Sequence, residues 1–333
     1  MSSLPRCITL QGDALRRLRE LPDASVDMVL ASPPYFRLRD YGESQQLGTE
    51  TRIDAWVANL AGVAADVRRV LVPTGTFWLN LGDTYATQPR QGVSRKSLLL
   101  GPERLALTLL RDGWLLRNKL VWQKANPMPI SVTDRLSCTW EVIYVFARQP
   151  TYFFDLDAIR LPHVSRPKQT GPRARGQRDQ RRGPNAAGTK GLAALKAQGL
   201  PGHPLGKNPG DVWRLPSSNY RGDHPAMFPV ALAERALQAG CPEARCTICR
   251  SPWRRPLIRA LGSTALRGAL TPTCGCEAAP EPGLVLDPFM GAGSTAVAAE
   301  RLHRDWLGIE LNPGYIELAR RRLQEARAGP RAA

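Results

Sequence analysis

The sequence predicts an α/β fold with a mostly parallel sheet and helices on both of its faces. The first observation behind this prediction is that short apolar segments typical of strands alternate along the chain with segments of helical period. The second is a glycine-containing turn that directly follows an apolar strand and opens a helix, as in α/β folds that bind nucleotides. With 333 residues, the chain can form one catalytic domain with small appended modules.

The amino-terminal half of the chain contains most of the predicted strands. These are short runs of apolar residues, and the helices between them repeat apolar residues with a period of about 3.6. Pro33 and Pro34 follow one strand and stop it, since proline lacks the amide donor that a sheet requires. The elements of this half are, in order, a strand over residues 7–10, a helix over 14–21, a strand over 26–30, a helix over 53–71 and strands over 75–80, 115–123 and 140–147.

The carboxyl-terminal part of the chain is predicted to return to the same alternation, without an internal repeat. Structure resumes at residues 211–213. The elements that follow are a helix over residues 230–239, a strand over 283–286, a helix over 295–303, a strand over 306–309 and a final helix over 313–326.

A basic segment over residues 163–210 separates these two parts. It lacks aromatic residues, and between residues 163 and 196 it contains nine Lys or Arg and a single acid, Asp179. Such a composition cannot bury enough apolar surface to offset the entropy of ordering. We therefore expect a mobile loop, which is either a linker that binds nothing or an arm that takes part in target recognition on DNA.

The overall charge favours a polyanionic partner. The chain has 46 Lys or Arg and 29 Asp or Glu, a net charge of +17, and nucleic acid is the natural partner for such an excess. The alternative is a solubilising surface on an arginine-rich protein. No apolar run approaches the roughly 18 residues that cross a bilayer, and residues 1–10 do not resemble a signal peptide. The sequence therefore predicts a cytoplasmic protein without a membrane partner.

The glycine turn lies between a strand and a helix over residues 284–295. Gly291 and Gly293 allow close approach of a ligand to the backbone and a positive φ, and Ser294 or Thr295 can cap the helix. A turn with two glycines is weak evidence by itself. A dinucleotide dehydrogenase is the natural competing interpretation.

Two acids near the turn disfavour a dinucleotide. Glu310 ends the next strand, 19 residues after Gly291, where α/β folds place a carboxylate that binds ribose hydroxyls. Asp287 puts a negative charge beside the turn, which repels a phosphate but not a sulfonium cation or its amino group. The third glycine of the pyrophosphate motif is absent as well. The turn therefore favours a nucleoside that contains a sulfonium group.

The tetrapeptide Ser32-Pro33-Pro34-Tyr35 follows a strand, where an open α/β sheet presents its reactive groups. Its residue types suit the activation of an exocyclic amine, whose lone pair is delocalised into the base ring. Two acceptors aimed at the amine hydrogens draw the nitrogen toward a tetrahedral geometry, and the Ser32 hydroxyl and the Pro33 carbonyl can supply them. Tyr35 can stack on a base that has flipped out of a duplex. Taken alone, the tetrapeptide is equally compatible with a proline-stopped turn.

Together, the tetrapeptide and the run Asp-Pro-Phe-Met-Gly-Ala-Gly-Ser-Thr over residues 287–295 resemble the amino-methylating DNA methyltransferases of the β arrangement, in which the catalytic motif precedes the cofactor motif. The resemblance covers most of the chain outside residues 163–210 and 241–276. It implies a class I methyltransferase fold that is Rossmann-like, S-adenosylmethionine as methyl donor, and double-stranded DNA as substrate. It also implies a bacterial or phage restriction-modification system, which can include a cognate endonuclease. The cofactor-binding residues that it implies are Asp13 for the adenine, Glu310 for the ribose, and Asp287, Phe289, Gly291 and Gly293 for the methionine, with Ser294 beside them.

Further segments are similar to the same family. They are residues 122–129 and 139–146 around the flipped base, residues 154–157, and residues 210–213 and 224–229 over the cofactor. In this family, Ser rather than Asp at the first tetrapeptide position is associated more often with cytosine-N4 than with adenine-N6. The resemblance therefore favours cytosine-N4, with adenine-N6 as the alternative. Cytosine-C5 methylation is disfavoured because neither Cys7 nor Cys138 lies in the Pro-Cys turn that would supply its nucleophile.

Five of the seven cysteines lie between residues 241 and 276, and in a reducing compartment clustered thiols bind metal more often than they form disulfides. Cys246 and Cys249 form one pair, Cys274 and Cys276 form another, and 24 residues separate the pairs, close to the spacing of a zinc ribbon. The second pair is one residue shorter than the usual knuckle, so Cys241 is an alternative ligand. A structural zinc would help this small insertion to fold; reduced thiols without metal are the alternative state.

The predicted organisation has four parts. They are the catalytic half over residues 1–162, the basic segment over residues 163–210, the cofactor-binding half over residues 211–245 and 277–333, and a zinc-ribbon-like insertion over residues 246–276. Within the insertion, the residues that either contact DNA phosphates or are purely structural are Arg250, Trp253, Arg254 and Arg255.

The function predicted from the sequence is direct methyl transfer from S-adenosylmethionine to cytosine-N4 of a flipped base, without a covalent enzyme intermediate. A rival of another class is a non-catalytic zinc-ribbon DNA-binding protein that keeps a methyltransferase fold. The presence of Asp13, Tyr35 and Glu310 counts against this rival. A third hypothesis is a methyltransferase that acts on RNA or on a small molecule.

Overall fold

The computed structural model describes residues 5–43, 45–163, 202–217, 227–259 and 265–328. The chain divides into two compact units: a larger one of Met1–Asp155, Gly210–Arg254 and Pro272–Ala333, and a smaller one of Leu156–Pro209 and Arg255–Thr271. Both cysteine pairs belong to the larger unit. Residues 164–201, which make up most of the predicted basic segment, lie outside the described residues, as do residues 224–226.

Twelve strands are present in the described part of the chain. They are β1 (Ile8–Gln11), β2 (Val26–Ala31), β3 (Leu71–Leu81), β4 (Leu115–Lys124), β5 (Trp140–Ala147), β6 (Val212–Leu215), β7 (Ala244–Cys246), β8 (Leu257–Arg259), β9 (Ala265–Arg267), β10 (Pro280–Pro282), β11 (Leu284–Asp287) and β12 (Asp305–Glu310). Eight of them form one sheet in the larger unit, in the order β1-β12-β11-β2-β3-β5-β4-β6. The first five in this order run parallel, β5 runs antiparallel to β3 and β4, and β4 pairs in parallel with β6. The predicted mostly parallel α/β sheet is confirmed.

Six α-helices are present in the same described residues. They are α1 (Ala14–Glu20), α2 (Ile53–Val70), α3 (Gly101–Arg111), α4 (Val230–Gly240), α5 (Ser294–Arg301) and α6 (Pro313–Arg327). The apolar stripes of α1, α2 and α3 share one core with strand residues such as Val29, Phe77 and Leu286. Successive residues of a strand point to opposite faces, and Met28 and Trp78 accordingly lie against Gly240 of α4. Helices therefore cover both faces of the sheet, as predicted.

The helix α3 is the main element that the sequence pattern did not predict. It begins with Gly101 and Pro102, and its amino end is capped from a distance. Asp83 accepts hydrogen bonds from the amides of Leu100 at 2.9 Å and Gly101 at 3.2 Å. A helix start is usually recognised by a capping side chain at its own first position, and here Leu100 occupies that position. The cap comes from residue 83, so the capping signal is absent at the start itself, and Pro102 in the first turn is the local signal that remains.

The strands β2 and β11 form the buried centre of the sheet. All six residues of β2 and all four of β11 are buried, which explains their nearly continuous apolar sequence, because both faces of a central parallel strand are covered. Parallel strands end at the same edge of the sheet. The loops after β2 and β11 therefore lie side by side, at the point where both sequence motifs begin.

The described residues of the smaller unit contain little regular structure. A single helical turn spans Leu156–Ala158, Leu161 and Lys207 form an antiparallel bridge, and β8 and β9 form a two-stranded antiparallel sheet. Within the described ranges of the whole chain, no helix has both the length and the apolar character needed to cross a membrane.

Candidate active site

A cleft at the carboxyl ends of β1, β2, β11 and β12 is lined by seven of the eleven predicted catalytic and cofactor-binding residues. It contains about 860 Å³ of space that is not occupied by protein atoms, including the part that is open to solvent. The predicted residues that line it are Asp13, Ser32, Pro34, Phe289, Gly291, Ser294 and Glu310. Tyr41, Asn312 and Tyr315 line it without having been predicted as site residues, whereas Met227 and Phe228 belong to the segment 224–229 that the resemblance implies over the cofactor. The fold therefore brings the catalytic and cofactor motifs, more than 250 residues apart in sequence, to one cleft.

The glycine loop after β11 is fixed to the end of β12 by Glu310. One carboxylate oxygen of Glu310 accepts a hydrogen bond from the Gly291 amide at 2.7 Å, and the other accepts one from the Asn312 amide at 2.9 Å. Gly291 and Gly293 have φ values of 51° and 78°, as their predicted role in a tight turn requires. Burial raises the pKa of Glu310 above its ordinary value. Each of its oxygens retains a lone pair that a ribose hydroxyl can use.

Asp287 lies behind the glycine loop and does not line the cleft. Its carboxylate accepts hydrogen bonds from the Thr295 hydroxyl at 2.5 Å and the Phe289 amide at 3.0 Å. Burial raises the pKa of Asp287 to about 7. In this structure the carboxylate holds the shape of the loop.

The cap of the helix after the glycine loop differs from the prediction. Gly293 is the N-cap residue of α5, and neither Ser294 nor Thr295 caps the helix with its side chain. The physical reason is that the Thr295 hydroxyl donates to Asp287, while Ser294 is already the first helical residue and lines the cleft. A Cβ added at Gly293 would lie 3.0 Å from the Cβ of Ala319, at a positive φ that other residues rarely adopt.

Asp13 ends the loop after β1 and lines the cleft. It also caps α1, because its side chain accepts a hydrogen bond from the Arg16 amide at 2.9 Å. Capping uses one carboxylate oxygen, and the second remains available to a ligand. The resemblance implies that this acid faces the cofactor adenine, and that role stays a prediction.

The tetrapeptide follows β2 directly. Pro33 is buried, whereas Ser32, Pro34 and Tyr35 are half-buried. The indole nitrogen of Trp56 in α2 donates a hydrogen bond to the Pro34 carbonyl at 2.9 Å, so a residue of the core fixes the direction of this turn. The Pro34 carbonyl is thereby engaged by the protein, which leaves Ser32 and the Pro33 carbonyl as the predicted acceptors for an amine.

A polar network surrounds the Ser32 hydroxyl. The sequence assigned no role to its Asn80, and it included Lys124 and Glu141 only as members of the two segments around the flipped base. The Tyr35 hydroxyl lies 2.6 Å from Glu141 Oε2, and Lys124 Nζ lies 2.6 Å from Glu141 Oε1. Asn80 Nδ2 lies 2.7 Å from Tyr35 Oη and 2.8 Å from Glu141 Oε2. It also lies 3.3 Å from Ser32 Oγ. The signal that could have identified Asn80 is a polar residue near the end of β3, directly after the apolar run over residues 77–79.

The carboxylate of Glu141 sets the direction of the hydrogen bonds in this network. A carboxylate only accepts, so the single hydrogen of the Tyr35 hydroxyl is donated to Glu141. At the 3.3 Å contact between Ser32 Oγ and Tyr35 Oη, Ser32 must therefore be the donor. Burial, and then the neighbouring Glu141, raise the pKa of Tyr35 well above its ordinary value, so the phenol stays protonated. Ser32 consequently presents an oxygen lone pair to the cleft.

The four cysteines predicted as metal ligands come together in the larger unit. The Sγ atoms of Cys246, Cys249, Cys274 and Cys276 all lie within 4.8 Å of one another, and all four are free thiols. Cys241, the alternative ligand, is fully buried at the end of α4 and lies outside this group.

Two of the basic residues after the first cysteine pair bind to the protein itself. The guanidinium of Arg250 donates a hydrogen bond to the carbonyl of Ala24. The guanidinium of Arg254 lies 5.0 Å from the ring centroid of Phe153. The hydrogen bond of Arg250 to Ala24 agrees with a structural role for this arginine, which is one of the two predicted roles; the other is contact with DNA phosphates.

Comparisons with known proteins agree with this geometry. The model of a DNA methylase family, N6_N4_Mtase, matches residues 26–321. Type II methyltransferase M.SmaI of Serratia marcescens is 30% identical over 98% of this chain and 94% of its own length. Type II methyltransferase M.XycI of Xanthomonas campestris pv. cyanopsidis is 32% identical over 94% of this chain and 86% of its own length.

Solved structures share the fold. The PvuII DNA methyltransferase, described as cytosine-N4-specific, superposes with a TM-score of 0.57 at 18% identity, over 96% of this chain and 90% of that one. A protein of Thermus thermophilus described as a DNA modification methylase, complexed with S-adenosyl-L-methionine, superposes with a TM-score of 0.54 at 21% identity, over 96% of each chain. The class I methyltransferase fold that the motifs predicted is therefore confirmed.

Proposed function

This chain belongs to the N6_N4_Mtase family of DNA methylases, and we propose that it transfers a methyl group from S-adenosylmethionine to the N4 amino group of cytosine in DNA. The family resemblance and its restriction-modification character are confirmed by the family match and by the type II methyltransferase relatives. The choice of base and the roles of individual residues are the proposal.

The observation that supports the proposal best is the directed chain of hydrogen bonds from Ser32 through Tyr35 to Glu141. An amine hydrogen needs an acceptor, and a serine hydroxyl is ambiguous because it can also donate. Glu141 removes the ambiguity, because it accepts a hydrogen bond from the Tyr35 hydroxyl, and Tyr35 in turn accepts one from the Ser32 hydroxyl. The Ser32 oxygen and the Pro33 carbonyl then face the two hydrogens of the target amine.

The residues around the cleft suit S-adenosylmethionine. Asp13 and Glu310 would hold the adenosine part, and the loop from Phe289 to Ser294 would hold the methionine part. The cleft contains Glu310 and Asp13 but no lysine or arginine among its described lining residues, which favours a cationic ligand over a phosphate. When bound, S-adenosylmethionine supplies a methyl group on a positively charged sulfur.

The chain's own residues would orient the base and receive a proton. Ser32 Oγ and the Pro33 carbonyl would pull the amine hydrogens out of the ring plane, which localises the nitrogen lone pair for attack on the methyl carbon. Methylation leaves one proton too many on the amine. The hydroxyls of Ser32 and Tyr35 form a path by which this proton can reach the carboxylate of Glu141.

Cytosine is favoured over adenine by the use of Ser at the first tetrapeptide position. An Asp would place a full charge against the amine, whereas here the charge of Glu141 acts through Tyr35. The structural neighbour described as cytosine-N4-specific supports the same choice. Adenine-N6 remains the alternative.

Nucleoside analysis of methylated DNA tests the proposal. Purified protein is incubated with unmethylated phage DNA and tritiated S-adenosylmethionine, and the digested nucleosides are separated and identified by mass. The expected product is N4-methyldeoxycytidine, with the rate reduced about 100-fold or more in Ser32→Ala. Ser97→Ala, at an exposed serine outside the cleft, serves as the matched control and should match the wild type.

Each other outcome contradicts a separate part of the proposal. N6-methyldeoxyadenosine as the product would show that the choice of base is wrong. Equal labelling by wild type and Ser32→Ala would refute the role of the tetrapeptide. Labelling of RNA or of a small molecule, but not of DNA, would show that DNA is not the substrate. Absence of both cofactor binding and labelling would favour the non-catalytic zinc-ribbon DNA-binding rival.

The remaining expectations about partners stay predictions. Double-stranded DNA is the expected substrate, and the net charge of +17 supports it. A cognate endonuclease, a cytoplasmic location and a recognition role for the basic segment are expected from the family resemblance and the composition. Division of the chain into a catalytic half and a cofactor-binding half is proposed on the same basis.

A further inference from the structure

The four-cysteine cluster has the donor set of a tetrahedral metal centre. Four thiolates at a zinc–sulfur distance of about 2.3 Å form a tetrahedron with sulfur–sulfur edges of about 3.8 Å. The four Sγ atoms lie within 4.8 Å of one another, so shifts of about an ångström or less would complete this geometry. Four thiolates select zinc or iron over hard cations such as magnesium.

Two short strands hold the cysteine pairs near each other. Cys246 in β7 pairs with Pro280 in β10, and the Thr247 hydroxyl donates to the Ala279 carbonyl at 3.0 Å. Each strand has only three residues, and a two-stranded sheet of this size is not stable in water by itself. The region therefore needs a further cross-link, and the four thiols are in place to form it.

Two arginines flank the first cysteine pair and bind to the start of β2. The side chain of Arg245 is almost fully buried, and it donates to the Ser25 carbonyl at 2.9 Å and to Asp27 Oδ2 at 2.8 Å. Arg250 donates to the carbonyl of Ala24. We call Arg245 and Arg250 the arginine clasp. These three contacts are made at the end of β2 opposite to the tetrapeptide.

The clasp also reaches β11, the strand of the glycine loop. Asp27 Oδ2, which accepts from Arg245, accepts a second hydrogen bond from the amide of Leu284 at 2.8 Å. Arg245 further pairs with Glu281 at 2.8 Å, directly before β11. One buried guanidinium therefore connects the amino ends of β2 and β11, two of the four strands whose carboxyl ends form the cleft.

We propose that Cys246, Cys249, Cys274 and Cys276 bind a structural zinc ion, and that this centre holds the arginine clasp in place to fasten β2 to β11. Arg245 directly precedes Cys246 and Arg250 directly follows Cys249, so the position of both guanidiniums depends on the knuckle between them. A buried arginine that loses its partners is costly. Loss of the metal should therefore displace the two arginines and weaken the connection between β2 and β11.

Metal analysis tests the first part of the proposal. The full chain is purified without added metal or chelator, and its metal content is measured by mass spectrometry of the elements. The expected result is one zinc ion per chain, and less than about a tenth of that in Cys249→Ser, which changes an exposed thiol. Cys138→Ser, at an exposed cysteine outside the cluster, is the matched control and should retain the zinc.

Other metal results overturn the assignment. Iron in place of zinc would refute the identity of the metal. Wild-type protein without any metal, or with two disulfides among the four cysteines, would refute the site. Because Cys249→Ser can also affect folding, release of zinc from folded wild-type protein by a mercurial reagent is measured with a zinc-sensitive dye. Absence of release would equally refute the site.

Hydrogen exchange tests the coupling to the strands. Zinc is removed with the mercurial and a chelator, and amide exchange is followed by mass spectrometry. Exchange in Val26–Ala31 and Leu284–Asp287 should accelerate about tenfold or more, while Ile53–Val70 in α2 stays protected. Unchanged exchange in both strands after complete zinc loss would refute the fastening role. Neither DNA nor methyl donor is present, so this result is independent of the proposed methylation.

Discussion

Replacement of Glu141 by glutamine tests the directed hydrogen-bond chain of the candidate site. The Glu141 side chain is 13% exposed and has partners on both oxygens: Tyr35 and Asn80 at Oε2, and Lys124 at Oε1. Glutamine keeps the size of the side chain but has one amide NH₂ in place of a carboxylate oxygen. It therefore cannot accept from Lys124 and Tyr35 at the same time, and the carboxylate charge is lost.

The expected decrease in kcat of Glu141→Gln follows from the hydrogen bonds that lose their charged acceptor. Hydrogen bonds to a charged group contribute about 1.5–3 kcal/mol each. If the equivalent of one such bond is lost from the transition state, kcat falls about 10- to 150-fold. Glu141 lies outside the lining of the cofactor cleft, so the affinity for S-adenosylmethionine should stay within about threefold of wild type. Glu141→Gln is therefore expected to separate kcat from cofactor binding.

Single-turnover methylation with saturating DNA, together with calorimetric titration of the cofactor, measures these two quantities. Glu103→Gln is a matched control, because Glu103 pairs with Lys119 at 2.8 Å and hydrogen-bonds Tyr144 away from the cleft. Its kcat should stay within about twofold of wild type. If Glu141→Gln retains full kcat, or loses cofactor affinity and kcat to the same extent, the reasoning about the network is refuted.

Three further predictions concern the loop and the turn that form the cleft. In Gly308→Ala the new Cβ would lie 2.0 Å from Met290 Sδ, which is a steric overlap. The free energy of unfolding in urea should therefore fall by about 1–3 kcal/mol. A change below about 0.5 kcal/mol would contradict this steric overlap. The pKa of about 7 at Asp287, against an ordinary 3.8, means that the folded state binds the proton more tightly. The free energy of unfolding should therefore decrease as the pH rises from about 4 to about 7 and then level off, and this decrease should shrink in Asp287→Asn; an unchanged pH profile would contradict the assignment. Trp56→Phe leaves the Pro34 carbonyl without its hydrogen-bond donor. The free energy of unfolding in urea should therefore fall by about 1–3 kcal/mol, and kcat in single-turnover assays should fall with it. Full retention of both quantities would show that the hydrogen bond from Trp56 does not orient the turn.

The elements whose signals are local in sequence could be predicted. The strand over residues 140–147 was predicted with its exact bounds, and the helix α2 to within one residue, since apolar periodicity depends on neighbours along the chain. The helix α3 was not predicted; its capping residue, Asp83, lies 17 residues before Leu100, which leaves Pro102 as the start signal in the first turn. The capping of α5 was predicted incorrectly because the Thr295 hydroxyl donates its hydrogen bond to the buried Asp287 and does not cap the helix.

By itself, the sequence determined the family, the α/β fold and seven of the residues that line the cleft, because the tetrapeptide and the glycine turn each require particular residue types at fixed spacing. Only the tertiary structure decided what those residues contact. Asp287 lies behind the loop, and Glu141, 106 residues after Tyr35, sets the direction of its hydroxyl. The folded chain also showed that the two arginines next to the first cysteine pair bind carbonyl groups at the amino end of β2. Such contacts join residues far apart in the chain, and the residue types of one segment do not reveal the partners that another segment supplies.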